Sequence, residues 1–533
     1  MCRRDIFFIF LTTLLLALPA SYEPHHFAKA LFLGSFFQSL AFAFVLMWLT
    51  KRCHRCRMAT WLVLFLLFVV ETFTYLRFDS RFNPGILVLV LQTNWREMRE
   101  FFSVYVLTLP SMLLLLNVVV VLLALLKVFA VLSEKPVLKC RPSIVVSVAA
   151  ILFGLLLPLA PLPFPIGNNT LVEFFKSVDF VFKKHEELSA ITQMVDRVKV
   201  SKTPEQKDAP LIVLVIGESF NKHHASVYGY GLPTTPTLAT EKEQGRLLVY
   251  DGVKSSTNGT NVAMRLLFSL ESCNSAATDS SRFVLMPVVF KKAGYKVAYF
   301  DNQYTRSSGG ELDYSCGYFL NPPYINSHSF DYRNDELFDY DGDFIEHYAD
   351  KFLKASKSLN IIHLMGQHFD ASKRYPEAFR KFTAADVKRS DLSEGERSQV
   401  AEYDNATRYN DHVLARIFQI FAHEDAVVVY LSDHGEQIYD GKAHYFGRMF
   451  GSLKDPETLT NVYEVPFLVW CSDKYRTRHA DQYEALRSMT SAPLCHDDTS
   501  YLLFHLAGID FNYNNERRCL LHPYYTPHQP ILE

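Results

Sequence analysis

The sequence has little excess of charge of either sign: 54 Lys and Arg residues face 56 Asp and Glu residues, and the formal net charge is −2. Surfaces that bind nucleic acid carry a clear basic excess, so this balance gives no indication of a nucleic-acid partner. The first 165 of the 533 residues contain fewer polar residues than a soluble domain does, and most of this part consists of long apolar runs. That lack excludes a fully soluble cytosolic protein.

Five apolar runs in this N-terminal part approach or reach the length of about 20 residues that a helix needs to cross a bilayer. They predict five membrane spans, with a signal peptide as the alternative for the first, which is short. Lys and Arg cluster before the first run, between the second and third, and between the fourth and fifth. These clusters mark the cytoplasmic side and place everything after residue 162 outside. The runs are 6–20, 28–49, 60–76, 105–132 and 144–162.

The segment 78–104, between the third and fourth runs, is predicted to be an interfacial helix. It combines an apolar stretch with Trp95, a residue type that favours the depth of the lipid headgroups. A connector lying on the surface is the alternative. These patterns divide the chain into a transmembrane domain (1–165), a linker helix region (166–205) and an outer domain (206–533).

Only nine cysteines are present. Cys53 and Cys56 frame a short basic motif beside the membrane that resembles half a zinc site. With no second half nearby, we interpret them as incidental thiols. The outer domain holds five cysteines, which can form at most two disulfides with one another, and sequence alone does not pair them. These five are Cys273, Cys316, Cys471, Cys495 and Cys519.

The outer domain alternates short apolar runs with helical patterns. Continuous rather than alternating hydrophobicity is typical of strands buried on both faces, so we predict an α/β domain with a mostly parallel sheet covered by helices. Helices are predicted at 283–293 and 499–507, each followed by a glycine. The predicted strands are 211–216, 296–300, 360–364, 426–431 and 466–470.

Chemically active side chains follow several of these strands: Glu218 follows the first, His368 the third, and Asp433 with His434 the fourth. Ligands bind at the carboxyl ends of strands in open α/β sheets, and converging carboxylates and imidazoles are costly to bury without a cation. Two carboxylates and an imidazole suit Zn²⁺. The sequence therefore predicts a zinc site formed by Glu218, Asp433 and His434.

A catalytic site of this kind needs a nucleophile whose pKa the metal lowers. Thr260 is the first candidate because it lies at the first turn of a predicted helix, 261–270, where backbone N–H groups and the helix dipole stabilise phosphate. Thr257 is the alternative nucleophile. The alternative role for Thr260 is that of a simple N-cap.

Three motifs and the Thr260 segment resemble the sulfatase/alkaline-phosphatase superfamily. The motifs are 217–219 (Gly-Glu-Ser), 366–368 (Gly-Gln-His) and 432–436 (Ser-Asp-His-Gly-Glu). Their combination with five N-terminal spans is similar to the membrane-anchored phosphoethanolamine transferases of that superfamily. The resemblance covers essentially the whole chain and implies a zinc-dependent transferase.

By this resemblance, Thr260 carries phosphoethanolamine as a covalent intermediate, and one or two zinc ions are bound. His368 and His444 hold the transferred phosphate or a second zinc ion, and they are suited to moving protons. Thr93 and Glu97, four residues apart and hence on one helix face, line the phosphatidylethanolamine pocket. The implied zinc ligands are Glu218, Thr260, Asp433 and His434.

The implied reaction moves phosphoethanolamine from phosphatidylethanolamine to lipopolysaccharide, at lipid A or a core sugar, or to a periplasmic glycan. The enzyme would be a multi-pass protein of the bacterial inner membrane, embedded in the lipid bilayer, with its catalytic domain in the periplasm. The run 258–260 (Asn-Gly-Thr) differs from the Thr-x-Thr pair of family members that confer polymyxin resistance, so the acceptor stays open.

Two other functions are kept as alternatives. The first is phosphoglycerol transfer, as in lipoteichoic acid synthases, which share five spans and a threonine nucleophile. The second is a non-catalytic membrane scaffold or a transporter. A transporter would place ionisable residues deep in several spans, whereas Lys29 and Lys127 lie near span ends.

Overall fold

The computed structural model describes residues 3–17, 28–50, 53–78, 186–276, 278–304, 317–441, 445–448 and 456–528, with short stretches between 87 and 123. Two compact units make up this described part of the chain. One lies within residues 1–184 and the other within residues 185–533.

Three helices make up most of the described part of the N-terminal unit: Arg3–Ala17, Ala28–Thr50 and His54–Phe78. They overlap the first three predicted spans, with different ends for the first and the third. Among the described residues, Arg55–Tyr75 is the one stretch long and apolar enough to cross a bilayer. The fourth and fifth predicted spans lie outside the described residues apart from scattered positions, and so do Thr93 and Glu97.

Polar contacts add two details to this unit. Asp5 and Arg57 form a buried ion pair at 2.9 Å, which joins the first and third helices. Glu71 is buried within the third helix, so ionisable residues are not confined to the ends of the spans. Cys53 and Cys56 are joined by a disulfide, so their interpretation as two incidental thiols is wrong.

The C-terminal unit contains a seven-stranded sheet and two small two-stranded sheets. Its strands are β1 (Val200–Lys202), β2 (Leu211–Gly217), β3 (Leu247–Tyr250), β4 (Val253–Lys254), β5 (Lys296–Asp301), β6 (Tyr332–Arg333), β7 (Ser358–His363), β8 (Ala426–Ser432), β9 (Phe467–Cys471), β10 (Leu494–Cys495) and β11 (Asp510–Phe511).

The large sheet has the strand order β3-β9-β8-β2-β7-β5-β6. Only β9 runs against its neighbours in this sheet, and the other pairs are parallel. The predicted mostly parallel sheet is therefore confirmed. Alternate side chains of β2 enter different hydrophobic cores: residues 212, 214 and 216 belong to one, and residues 211, 213 and 215 to the other. This burial on both faces explains the continuous apolar run.

Helices cover both faces of the sheet. The predicted helix 283–293 begins only at Met286, because 280–283 forms a 3₁₀ turn capped by Asp279. The longest helix begins with a capping box formed by Ser393 and Glu396. The helices are Pro236–Glu243, Thr260–Phe268, Met286–Lys292, Pro323–Ser329, Asp341–Tyr348, Glu394–Phe421, Pro456–Tyr463, Asp473–Arg478, Ala480–Ser488 and Thr499–Leu506, preceded by a helix over 186–197.

Candidate active site

The register of two neighbouring strands brings the predicted site residues together. β2 and β8 are adjacent and parallel, and Gly217 at the end of β2 lies opposite Ser432 at the end of β8. Glu218 and Asp433 are the next residues along each chain, so both carboxylates emerge at the same edge of the sheet. Ser219 follows with a φ of 55°, a left-handed turn that leads the chain away from β2.

Four side chains meet at this edge. His434 Nε2 lies 3.3 Å from Glu218 Oε1 and 3.1 Å from Asp433 Oδ2. Thr260 Oγ1 lies 3.0 Å from Glu218 Oε2 and 3.2 Å from His434 Nε2. The structure therefore brings together all four of the predicted zinc ligands.

The charges of this cluster depend on one another because three of the side chains are completely buried. Burial opposes ionisation of Glu218, but the charge of His434 and a hydrogen bond from it outweigh that effect, and the pKa of Glu218 falls well below its usual value. Burial and Arg448 lower the pKa of His434, whereas Asp433 and Glu218 raise it, with a net result of about 9. The two carboxylates thus hold positive charge between them.

The donor set fits a zinc ion. The ligand atoms of Glu218, Asp433 and His434 all lie within 4.8 Å of one another. Asp433 Oδ2 is buried and accepts no hydrogen bond from the described residues, although His434 Nε2 is near. His434 Nδ1–H donates to the Gly435 carbonyl at 2.8 Å, so Nε2 is the nitrogen that faces the cluster. Two carboxylates and one such imidazole suit zinc and leave a position for a fourth ligand.

The geometry separates the two candidate nucleophiles. Thr260 is the first residue of its helix and Gly259 is the N-cap, so the alternative role of Thr260 as an N-cap is wrong. Its hydroxyl instead points at Glu218 and His434. Among the described residues, Thr257 forms hydrogen bonds with the Ser255 side chain through its backbone N–H and carbonyl. The position at the cluster belongs to Thr260.

His368 lies close to the cluster. It follows Gly366 and Gln367 beyond the end of β7, and its Nδ1 is buried without a hydrogen-bond partner among the described residues. Burial lowers the pKa of His368 to about 3; Glu218 opposes this shift and Arg448 reinforces it. These effects place the imidazole in the same electrostatic field as the predicted zinc ligands. His444 lies outside the described residues.

Two further residues contact these four side chains, and neither of them was predicted from the sequence. Gln303 Nε2 donates to Glu218 Oε2 at 3.2 Å and to the Leu364 carbonyl at 2.8 Å. Arg448 contacts His434 Nε2 and donates to the Asn258 carbonyl at 2.8 Å. Gln303 could have been found, because it follows a predicted strand end as the other site residues do. No sequence pattern identified Arg448.

Gly366 fixes the backbone of Glu218 and provides a test of the site's rigidity. It has a φ of +50°, and an added Cβ would lie 2.8 Å from both Glu218 N and Glu218 O. Gly366→Ala is therefore expected to destabilise the domain by about 2–4 kcal/mol, through left-handed backbone strain and overpacking. Thermal unfolding in detergent should show a fall in melting temperature of roughly 5–10 °C.

Gly395→Ala is the matched control for this prediction. Nothing lies within 4 Å of a Cβ added at Gly395, which sits inside a helix. The same chemical change is expected to be neutral there or to stabilise by up to about 1 kcal/mol. Equal melting temperatures for the Gly366 and Gly395 variants would contradict the close approach of Gly366 to Glu218.

The sheet and its site define the class of protein. The family model described as Sulfatase matches residues 210–509, more than half of the chain, and the chain belongs to that family.

Individual relatives of the chain have more specific names than the family. Phosphoethanolamine transferase EptC of Escherichia coli (strain K12) is 27% identical over 488 residues, which cover 84% of this chain and 79% of that protein. Phosphoethanolamine transferase EptA of Helicobacter pylori is 28% identical over 273 residues, which cover 50% of this chain and 49% of that protein. The resemblance to phosphoethanolamine transferases of the sulfatase superfamily is confirmed, and so is the expectation of an enzyme.

Two solved structures support the architecture. The C-terminal periplasmic domain of EptC from Escherichia coli superposes with a TM-score of 0.51 at 26% identity, covering 61% of this chain and 90% of that one. The integral membrane protein EptA from Neisseria meningitidis superposes with a TM-score of 0.68 at 17% identity, covering 97% of this chain and 98% of that one. The latter supports the predicted fold of a membrane domain joined to a sulfatase-like domain.

Proposed function

We propose that this chain transfers phosphoethanolamine from phosphatidylethanolamine to lipopolysaccharide, at lipid A or a core sugar, or to a periplasmic glycan. The observation that carries the proposal is the position of Thr260, whose Oγ1 lies 3.0 Å from Glu218 Oε2 and 3.2 Å from His434 Nε2. The names of the relatives support the phosphoethanolamine group. The proposed location is the bacterial inner membrane, with several spans and the catalytic domain in the periplasm.

Glu218, Asp433 and His434 are proposed to hold a zinc ion, with Thr260 as the fourth ligand. A domain of the related EptC has been solved in complex with Zn, which supports the choice of metal. Zinc bound there would supply positive charge that lowers the pKa of the Thr260 hydroxyl and offsets the charge of the phosphate. Gln303 holds Glu218 in place through its 3.2 Å hydrogen bond to Oε2.

The proposed reaction has two displacements at phosphorus. Thr260 Oγ1 forms a bond to the donor phosphorus, the bond from phosphorus to the diacylglycerol oxygen breaks, and diacylglycerol leaves with a proton. A sugar hydroxyl or sugar phosphate of the acceptor then displaces phosphoethanolamine from Thr260. His368 and His444 are proposed to hold the phosphate and to move these protons. Burial lowers the pKa of His368 to about 3, so its imidazole is uncharged at neutral pH and would begin as a proton acceptor.

Thr93 and Glu97 are proposed to bind the donor lipid from the interfacial segment 78–104. Their four-residue separation places both on one face of a helix. A hydroxyl and a carboxylate on that face would meet the polar headgroup of phosphatidylethanolamine, whose ammonium group a carboxylate can pair with.

The test is the intact mass of the full-length, zinc-loaded protein after incubation with phosphatidylethanolamine, followed by peptide mapping. We expect one phosphoethanolamine adduct, on Thr260. Phosphatidylglycerol is the matched donor control, and a phosphoglycerol adduct from it alone would favour the transferase of the lipoteichoic acid synthase type. An adduct on Thr257 would show that Thr257, and not Thr260, is the nucleophile. Absence of an adduct with either lipid would contradict covalent transfer.

A further inference from the structure

A second group of metal-binding side chains lies apart from the zinc site described above. Each member offers one ligand atom, and these atoms all lie within 4.8 Å of one another. We call this group the Cys273 cluster. Its members are Cys273, Cys495, Asp497 and His528.

The cluster joins three distant parts of the chain. Cys273 lies five residues beyond the end of the helix that begins at Thr260. Cys495 ends β10, and Asp497 lies in the short 3₁₀ turn that follows. His528 belongs to the last described segment of the chain. A ligand held here would fasten that segment to the loop that follows the Thr260 helix.

Hydrogen bonds orient the side chains of the cluster toward one another. Asp497 Oδ1 lies 2.9 Å from His528 Nε2, and Asp497 Oδ2 accepts from the Cys273 backbone N–H at 2.9 Å. The other imidazole nitrogen, His528 Nδ1, lies 3.3 Å from Asp498 Oδ2. Arg518 Nε in turn donates to Asp498 Oδ1 at 2.6 Å. A carboxylate that orients the far nitrogen of a ligating histidine is the usual outer partner at metal sites.

The cluster is buried and its carboxylate is paired. Cys495 and Asp497 are fully buried, and Asp497 Oδ1 lies 2.9 Å from His528 Nε2 and 3.9 Å from the Arg518 guanidinium. Zinc binds cysteine as thiolate, so binding here would release the thiol protons and replace the proton that His528 shares with Asp497.

We propose that the Cys273 cluster binds one zinc ion as a closed structural site. Two sulfur ligands, one imidazole and one carboxylate give the four-coordinate donor set that zinc prefers, with no position left open for substrate. The alternative use of two neighbouring thiols is a disulfide, but Cys273 and Cys495 are both free cysteines in the structure.

The site would also support the active site next to it. His496 lies between Cys495 and Asp497, two members of the Cys273 cluster. Its Nε2 is 2.8 Å from the Asp433 carbonyl oxygen. Ser256 Oγ lies 3.3 Å from Cys495 Sγ and 3.1 Å from His496 Nδ1. Zinc at the cluster would thereby hold the backbone that carries Asp433.

The first test measures zinc in the full-length protein after exhaustive dialysis. We expect Cys273→Ala to hold one molar equivalent less than the unchanged chain. Cys519→Ala is the matched control, because Cys519 is a buried free cysteine outside the cluster, and its zinc content should not change. Equal zinc content in the Cys273→Ala variant and the unchanged chain would overturn the proposal.

The second test needs no variant and so does not depend on a mutant's folding. Alkylation of the unchanged chain is followed by peptide mapping with and without a chelator. Cys273 and Cys495 are expected to resist alkylation until the chelator is added. Two thiols that stay blocked until a reductant is added would show a disulfide and overturn the zinc site. So would two thiols that react equally well before and after chelation.

Discussion

Thr260→Ala is expected to lower the kcat of phosphoethanolamine transfer by about 10⁴-fold or more, because the variant has no oxygen to attack phosphorus. Losses of this size follow removal of the covalent nucleophile from serine hydrolases. The alanine removes only the 3.0 Å and 3.2 Å contacts of Oγ1 with Glu218 and His434, and both of these side chains stay buried in place. The measurement is transfer of labelled headgroup from phosphatidylethanolamine by the purified full-length protein.

Two variants serve as controls for the nucleophile. Thr260→Ser keeps a hydroxyl at the same atom and should retain measurable transfer. Thr257→Ala should stay within a few-fold of the unchanged chain, because the described contacts of Thr257 with Ser255 use backbone atoms of the threonine. Full activity in Thr260→Ala, or its loss only in Thr257→Ala, would remove Thr260 from the role of nucleophile.

Asp433→Asn is expected to prevent binding of the proposed active-site zinc ion and to abolish transfer with it. Asp433 Oδ1 accepts from Ser219 N–H at 3.1 Å and from His434 N–H at 2.7 Å, and asparagine can keep both bonds. The change therefore removes the negative charge and the ligand atom Oδ2 while conserving the fold. Zinc affinity should fall at least about 100-fold, since even losses outside the ligand shell reach that size. Zinc titration of chelator-treated protein measures it.

Asp279→Asn is the matched control for this loss of charge. Asp279 caps a 3₁₀ turn outside the site by accepting from Ser281 N–H at 2.9 Å, which asparagine can also do. Its zinc affinity should equal that of the unchanged chain. The equivalent of zinc assigned to the Cys273 cluster should remain in Asp433→Asn, so the two sites can be told apart. Unchanged titration of both equivalents in Asp433→Asn would contradict the assignment of the active-site ligands.

Local pattern was enough to predict the scaffold of the site. Strands buried on both faces must be apolar throughout, so the strands β2 and β8 stand out in the sequence. Parallel neighbours end at one edge of the sheet, and the register of Gly217 with Ser432 then places Glu218 beside Asp433. This convergence was the basis for expecting a metal there, because carboxylates at one buried edge are costly without positive charge.

What the sequence by itself determined is therefore the fold class and the side chains carried by strand ends. The tertiary structure decided the rest: the reversal of β9, the contact of Arg448 with His434, and the meeting of Cys273 with Cys495 and His528. The pattern of apolar residues along a strand or helix involves neighbours in the chain, so it is visible in the local sequence. Which loop reaches which site depends on how distant segments pack, and the sequence has no local pattern that records it.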